Sequence, residues 1–241
     1  MYHSISKEPQ NPLAVQPELF QSQMEILSKA HYRVLPLSEV VKRLIRHEDL
    51  KDTLCLTFDD GYLDFKHNAW PVLEQYHFPA TIFVVAKKIG GVSDWSRYGQ
   101  DKPLLAWEDL RFLVQEGAEI GAHSNHHNDL RTLSDENLEE EIGGSKKIIE
   151  NHLNVEVKSF AYPGGLYGKR ELKTVEESGY QCAVRVGGFR GNSYHANPYL
   201  LNRDKVLGSD GLDVFQRKVS GAYDLEYAMK ALAEKFLKAK T

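Results

Sequence analysis

Three features of the sequence predict an α/β fold built on a parallel sheet. Short apolar runs alternate with amphipathic segments along the chain, the order that βα units impose, and seven or eight such units close as a (β/α) barrel. Unusual polar residues cluster at the ends of apolar runs, where a parallel barrel carries its catalytic groups. The 241 residues hold no Pro-, Gly- or Ser-rich linker, internal repeat or low-complexity segment, so a single barrel-sized domain over 1–241 is expected.

The strands predicted in order are MYH at the start, then YRVLPL (32–37), TLCLTF (53–58), PATIFVVA (79–86), AEIGAH (118–123), VKSFAY (157–162), YQCAVRV (180–186) and DKVLG (204–208). β-Branched and aromatic residues suit a pleated, buried surface. Between them lie predicted helices. Pro17 suits a first helical turn, and Phe20, Met24 and Leu27 then fall on one face. Segments 107–116, 134–153, 169–178 and 222–238 have similar periodicity, with Ser134 as an N-cap.

Composition excludes several classes. With 30 Lys and Arg against 34 Asp and Glu, the net charge is -4, so the basic footprint of a nucleic-acid or anionic-membrane binder is missing. No apolar stretch approaches the roughly 18 residues of a membrane span. MYHSISKEP lacks the charged-then-apolar order of a signal peptide. The cytoplasm is thus the expected compartment for the sequence as it stands, and an extracytoplasmic one if it is part of a longer protein. Cys55 and Cys182 sit far apart within apolar runs, which reads as two buried free thiols.

The chemistry concentrates at four strand ends. Asp59 and Asp60 follow TLCLTF, His123 to His127 follow AEIGA, Tyr162-Pro163-Gly164 follow VKSFA, and His3 ends MYH. Adjacent carboxylates repel, and a metal ion on one of them removes the conflict while the other turns toward a reacting water. Asp-Asp-Gly is also ordinary turn chemistry. His123 and His127, at i and i+4, share one face of a helical turn and could converge on one ion, although His126 could replace His127. Two histidines and one carboxylate leave coordination positions for water and substrate.

TFDDG, then HSNHH followed by NDL, then FAYPGG, in this order and at strand ends, resembles the polysaccharide deacetylase family, carbohydrate esterase family 4, also called the NodB-homology domain. The resemblance runs from about Met1 to Gly221 and implies a distorted (β/α) barrel of seven or eight strands that removes acetyl groups from glycans with one divalent metal, commonly zinc. It makes Asp60, His123 and His127 the metal ligands and Asp59 the general base, with a backbone N–H of the Pro163-Gly164 turn stabilising the oxyanion. FAYP-type motifs resemble the branch that de-N-acetylates poly-N-acetylglucosamine.

The sequence also departs from the family pattern. Ala161 stands where the third motif usually has an arginine that orients the catalytic aspartate, and Gly164 where an aromatic is usual. Arg203 in LLNRDKV could supply the missing charge, with an ordinary surface arginine the plainer reading. The family's late Leu-x-His acid is absent, and no histidine follows His195. The poly-N-acetylglucosamine branch resembles a circular permutation whose corresponding strand opens the domain, which makes His3 the general acid, its pKa held near neutrality by Asp59 or Asp204. A frayed terminal residue is the alternative. Trp95, Tyr98 and Tyr167 could line a sugar cleft with Tyr162, Pro163, Gly164 and Arg203, while Trp107 is expected to pack at a helix start.

The expected function is metal-dependent de-N-acetylation of an N-acetylglucosamine-containing glycan. Deacylation of a small or lipid-linked amidated sugar is one alternative. A carbohydrate-binding relative without turnover is another, suggested by the absent arginine and the displaced acid.

Overall fold

The computed structural model describes residues 1–95, 98, 101–187 and 191–222. Its strands are β1 (Ser4–Ile5), β2 (Ala14–Val15), β3 (Arg33–Val34), β4 (Thr53–Leu54), β5 (Thr57–Phe58), β6 (Thr81–Val84), β7 (Glu119–Ala122), β8 (Ser159–Ala161) and β9 (Cys182–Val184). The last five form one parallel sheet in sequence order, while β1 with β2 and β3 with β4 make separate parallel pairs. All five sheet strands therefore end at the same edge. The sheet is a curled half-barrel, and seven or eight regular barrel strands are not reached among the described residues.

Single bridges extend it at both sides, Tyr2 to Phe58 and Val184 to Leu201. Segment 201–206 touches both edges. The Leu201 N–H donates to the Ala183 carbonyl and the Val206 N–H to the Met1 carbonyl, each at 3.0 Å. The strand expected over 204–208 is thus an irregular connection, because its residues bond singly to different partners. TLCLTF likewise splits into β4 and β5, since Leu54 pairs with Val34 and Thr57 with Thr81.

The helices are α1 (Pro17–Lys29), α2 (Leu37–Ile45), α3 (Trp70–Gln75), α4 (Trp107–Gln115), α5 (Asp135–Glu139), α6 (Ser145–Leu153), α7 (Lys169–Glu177) and α8 (Leu212–Val219). Pro17 opens α1, and Phe20, Met24 and Leu27 are buried along it. The long helix expected over 134–153 forms as α5, a π turn over Glu140–Gly144 and α6, and Ser134 caps it by accepting the Asn137 N–H at 3.3 Å. The α2 helix was not anticipated. Pro36 ends the β3 run and initiates it, as a residue with no N–H to donate and a helix-compatible φ can. The helix expected over 222–238 falls, beyond Ala222, outside the described residues. Among the described residues no helix is long and apolar enough to cross a membrane.

Both sheet faces are buried, which explains the continuous apolar runs. Ile82, Val84, Ile120, Phe160 and Ala183 face the larger core with α1, α3, α4 and α6, while Phe83, Ala161, Cys182 and Val184 join Leu37, Val41 and Leu44 of α2 in a smaller one. The alternation along each strand is the period of two that a pleat imposes. Cys182 is buried, but Cys55, expected to be buried too, is only partly so, at the interrupted strand; neither forms a disulfide.

The larger core also fixes the N-terminal segment. The Tyr2 ring stacks on Phe58 at 5.2 Å and meets Phe20 edge-on at 5.2 Å, and its hydroxyl donates to Gln23 at 2.9 Å. Burying such a ring contributes about 1.5–3 kcal/mol. The Tyr2 N–H donates to Thr57 at 2.8 Å, and the Asp59 N–H to the Tyr2 carbonyl at 3.0 Å. His3 therefore follows a paired residue instead of fraying.

Candidate metal and catalytic site

The five parallel strands deliver the polar clusters to one edge. Asp59 and Asp60 leave β5, His123 leaves β7 and Tyr162 leaves β8. Asp60 has φ +74° and Gly61 φ +72°, so the chain turns abruptly after the strand. A Cβ on Gly61 would lie 3.0 Å from a Val84 methyl and would strain the positive φ, so the turn favours glycine.

Asp60 Oδ1 is buried and has no hydrogen-bond partner among the described residues. It lies 3.5 Å from His123 Nε2 and 3.4 Å from His127 Nε2, and one ligand atom from each of the three residues falls within 4.8 Å of the others. His123 Nδ1–H donates to the Ala161 carbonyl at 2.7 Å. A carbonyl only accepts, so the proton is on Nδ1 and the lone pair of Nε2 faces Asp60. Burial lowers both imidazoles to a pKa of about 4, against a smaller upward pull from Asp59. The unpartnered Asp60 oxygen thus faces the bare Nε2 of His123 and a second neutral imidazole, and a cation fits that donor set.

The histidines do not converge on a helical turn, as i, i+4 spacing suggested. Ser124 has φ +64° and His127 φ +62°, and the Ser124 hydroxyl accepts the His127 N–H at 2.9 Å. A left-handed turn brings the two rings to 4.9 Å. His126 is directed elsewhere, its Nδ1–H donating to Glu141 at 2.5 Å.

Asp59 takes a different partner. Arg203 Nη1 and Nη2 donate to its two oxygens at 2.6 and 2.8 Å, and Nη1 also reaches Thr57 Oγ1 at 3.1 Å. Burial alone would raise the Asp59 pKa, but the charge of Arg203 and its hydrogen bonds outweigh it and hold the carboxyl well below the usual range. Arg203 is 8% exposed, so it is neither the plain surface residue nor a group facing a substrate. A guanidinium thus reaches Asp59 from 144 positions along the chain.

His3 lies within the electrostatic reach of Asp60, Asp59 and His127, and its Nδ1 is buried without a partner among the described residues. Its pKa is lowered, against the expectation that a neighbouring carboxylate holds it up. Burial dominates the upward pull of the two aspartates, and Asp204 instead accepts from Met1 through its carbonyl.

The expected sugar-contacting residues divide. Tyr162 is buried, edge-on to Phe160, and donates to the Tyr199 carbonyl at 3.1 Å, so its ring belongs to the core. Pro163 is buried, while Gly164 is exposed at φ +62°. The turn uses the Gly165 and Leu166 N–H groups, which donate to Tyr162 and Pro163, so the Gly164 N–H takes no part in those two bonds. Trp95 stacks on the His127 ring at 4.7 Å, which occupies one face. Tyr167 accepts from Arg185 at 2.5 Å, Tyr98 is exposed, and Trp107 opens α4 stacked on His152. Glu141 went unnoticed, since a lone glutamate in an amphipathic segment carries no signal.

Known proteins resemble this chain in sequence and in fold. The family model described as polysaccharide deacetylase matches residues 46–183, a span with Asp59, Asp60, His123 and His127 inside it and His3 and Arg203 outside. YxkH of Bacillus subtilis, named for the same family, is 34% identical over 185 residues, 76% of this chain and 62% of that protein. The poly-beta-1,6-N-acetyl-D-glucosamine N-deacetylase of Staphylococcus epidermidis is 28% identical over 74% of this chain and 63% of its own. The chain thus spans a little over three-fifths of each of these relatives. The solved structure of the Streptococcus pyogenes deacetylase PplD in complex with acetate aligns with a TM-score of 0.79 and 26% identity, over 91% of this chain and 96% of that one. By the matched span, the identity to YxkH and the shared fold, this chain belongs to the polysaccharide deacetylase family.

Proposed function

We propose that the protein is a metal-dependent hydrolase that removes N-acetyl groups from an N-acetylglucosamine-containing glycan. The observation that carries this reading is the convergence of the unpartnered Asp60 oxygen with two neutral imidazoles, next to a second carboxylate held apart by Arg203. Asp60, His123 and His127 would hold one divalent ion, with zinc suited to the set of two imidazoles and one carboxylate. When bound, such an ion supplies Lewis-acid polarisation of the acetyl carbonyl and makes water a stronger acid.

The chain's own residues do the rest. Asp59, kept ionised and oriented by two hydrogen bonds from Arg203, accepts the proton of the attacking water. The Gly164 N–H, outside the hydrogen bonds of its turn, is the donor for the oxyanion. His3 delivers a proton to the departing amine nitrogen. Within the electrostatic reach of Asp59, it relays to that nitrogen the proton that Asp59 takes from the water.

The substrate class follows the similarity to the staphylococcal N-deacetylase together with the FAYP motif. Of the two features that suggested the non-catalytic alternative, the absent arginine is offset by the Arg203–Asp59 ion pair. The test is acetate release from N-acetylglucosamine oligomers by wild type and Asp59→Asn, with and without a chelator. Turnover should be abolished by the chelator, restored by zinc, and reduced about 10²-fold or more in the variant, the usual scale for a general base. Chelator-resistant release would refute the metal-dependent reading.

A further inference from the structure

The loop that carries the two histidines is bolted to the helix behind it by one buried side chain. Glu141 is 5% exposed and lies in the π turn between α5 and α6. Its Oε2 accepts the backbone N–H groups of Asn125 and His126, each at 3.0 Å, and its Oε1 accepts the His126 Nδ1–H at 2.5 Å. The residues so held stand between His123 and His127. Asn125 adds a bond in return, its Nδ2 donating to the Glu140 carbonyl at 2.6 Å.

Sequence and backbone cooperate here. Buried residues along this helical run are Leu138, Glu141, Ile142, Gly143, Ser145 and Ile149, a face wider at the π turn than an α-helix gives, and π turns occur often at functional sites. A Cβ on Gly144 would lie 2.9 Å from the Glu140 carboxyl and 3.1 Å from Asn125 Nδ2, so glycine there accommodates both the Glu140 side chain and the loop. On the loop side, Ser124 and His127 both hold φ values near +60°. Such backbone persists only where its surroundings over-determine it. Two N–H groups pinned on one oxygen between the two left-handed residues supply that constraint.

We propose that Glu141 is a positioning residue for His123 and His127, setting the direction of both imidazoles through the backbone between them. This rests on the reading of Asp60, His123 and His127 as metal ligands. Glu141 touches neither histidine directly and takes no part in the chemistry. It acts as an outer-shell support, and loss of such a support typically costs about 10–100-fold in metal affinity.

The chemistry of the three bonds selects the variants. Glu141→Gln keeps an oxygen for the two N–H groups and can donate its amide to the other tautomer of His126. Glu141→Asp keeps a carboxylate one methylene too short to reach both, and Glu141→Ala removes every acceptor. Co²⁺ titration against a competing chelator, with visible absorption spectra of the loaded proteins, reads affinity and ligand geometry independently of turnover. Glu141→Gln should bind within about 3-fold of wild type, with Glu141→Asp and Glu141→Ala about 10–100-fold weaker and their Co²⁺ bands shifted. If Glu141→Ala does not fold, the Asp and Gln pair still decides. Wild-type affinity and spectrum in Glu141→Asp, or a Gln variant as weak as Asp, overturns the proposal while leaving the ligand set intact. A wild-type protein that takes up no Co²⁺ overturns the ligand set and this inference together.

Discussion

At the residue scale, adjacent carboxylates are kept apart by sending them to different partners. Asp59 goes to Arg203 and Asp60 to the histidines. Removing Arg203 would leave Asp59 buried without a counter-charge, a loss of about 3–5 kcal/mol for a broken buried pair. The sign of the pH effect follows. Arg203 is the largest cause lowering the Asp59 pKa, so in Arg203→Ala that pKa rises, and the acid limb of a kcat/KM profile moves to higher pH, with a lower Tm in the same protein. An unchanged acid limb would separate Arg203 from the base. His3 makes a second prediction. His3→Ala should retain metal yet slow amide cleavage far more than cleavage of an activated acetyl ester, whose leaving group needs no proton. Equal losses on both substrates would remove His3 from proton delivery.

At the element scale, the site depends on backbone that leaves regular strands by left-handed steps. Gly61 follows Asp60 in such a step with the Val84 methyl against it. Gly61→Ala should therefore destabilise the fold by about 1–3 kcal/mol, the cost of a strained backbone position, and weaken metal binding, because relief of the clash moves Asp60. Denaturant unfolding and a metal titration check the two parts. Wild-type stability would mean that β5 and β6 separate at no cost.

At the scale of the whole molecule, metal and fold should be linked. A ligand bound only by the native state at 100 times its Kd adds about 2.7 kcal/mol, which for a chain of this size raises Tm by roughly 5–10 °C. Chelation should reverse the gain, as differential scanning calorimetry would record. The metal-free protein should also be acid-sensitive. His123 and His127 titrate at about 4 when folded and near 6.5 when unfolded, so between these values the unfolded chain binds more protons. The share of its stability that depends on these two imidazoles should fall as pH drops from about 6.5 to about 4 and level off below. A Tm of the chelated protein that is flat across this window would contradict the burial-driven shifts.

Local chemistry made much of this legible in the sequence. The βα alternation, the α1 face of Phe20, Met24 and Leu27, the Ser134 cap, and the Asp-Asp and His-Ser-x-x-His clusters are signals written within a few residues of one another. Pairing across the chain could not be read that way. Arg203 stands 144 positions from Asp59 and looked like any surface arginine, His3 could have frayed, and His126 could have replaced His127 by spacing. The tertiary structure decided each through long-range contacts: segment 201–206 bonded to both sheet edges, Tyr2 stacked on Phe58, and Glu141 taking His126. It also turned the expected helical turn at His123 into a left-handed one and left the sheet a half-barrel. Sequence spacing states which residues can meet, and burial against distant elements selects which of them do.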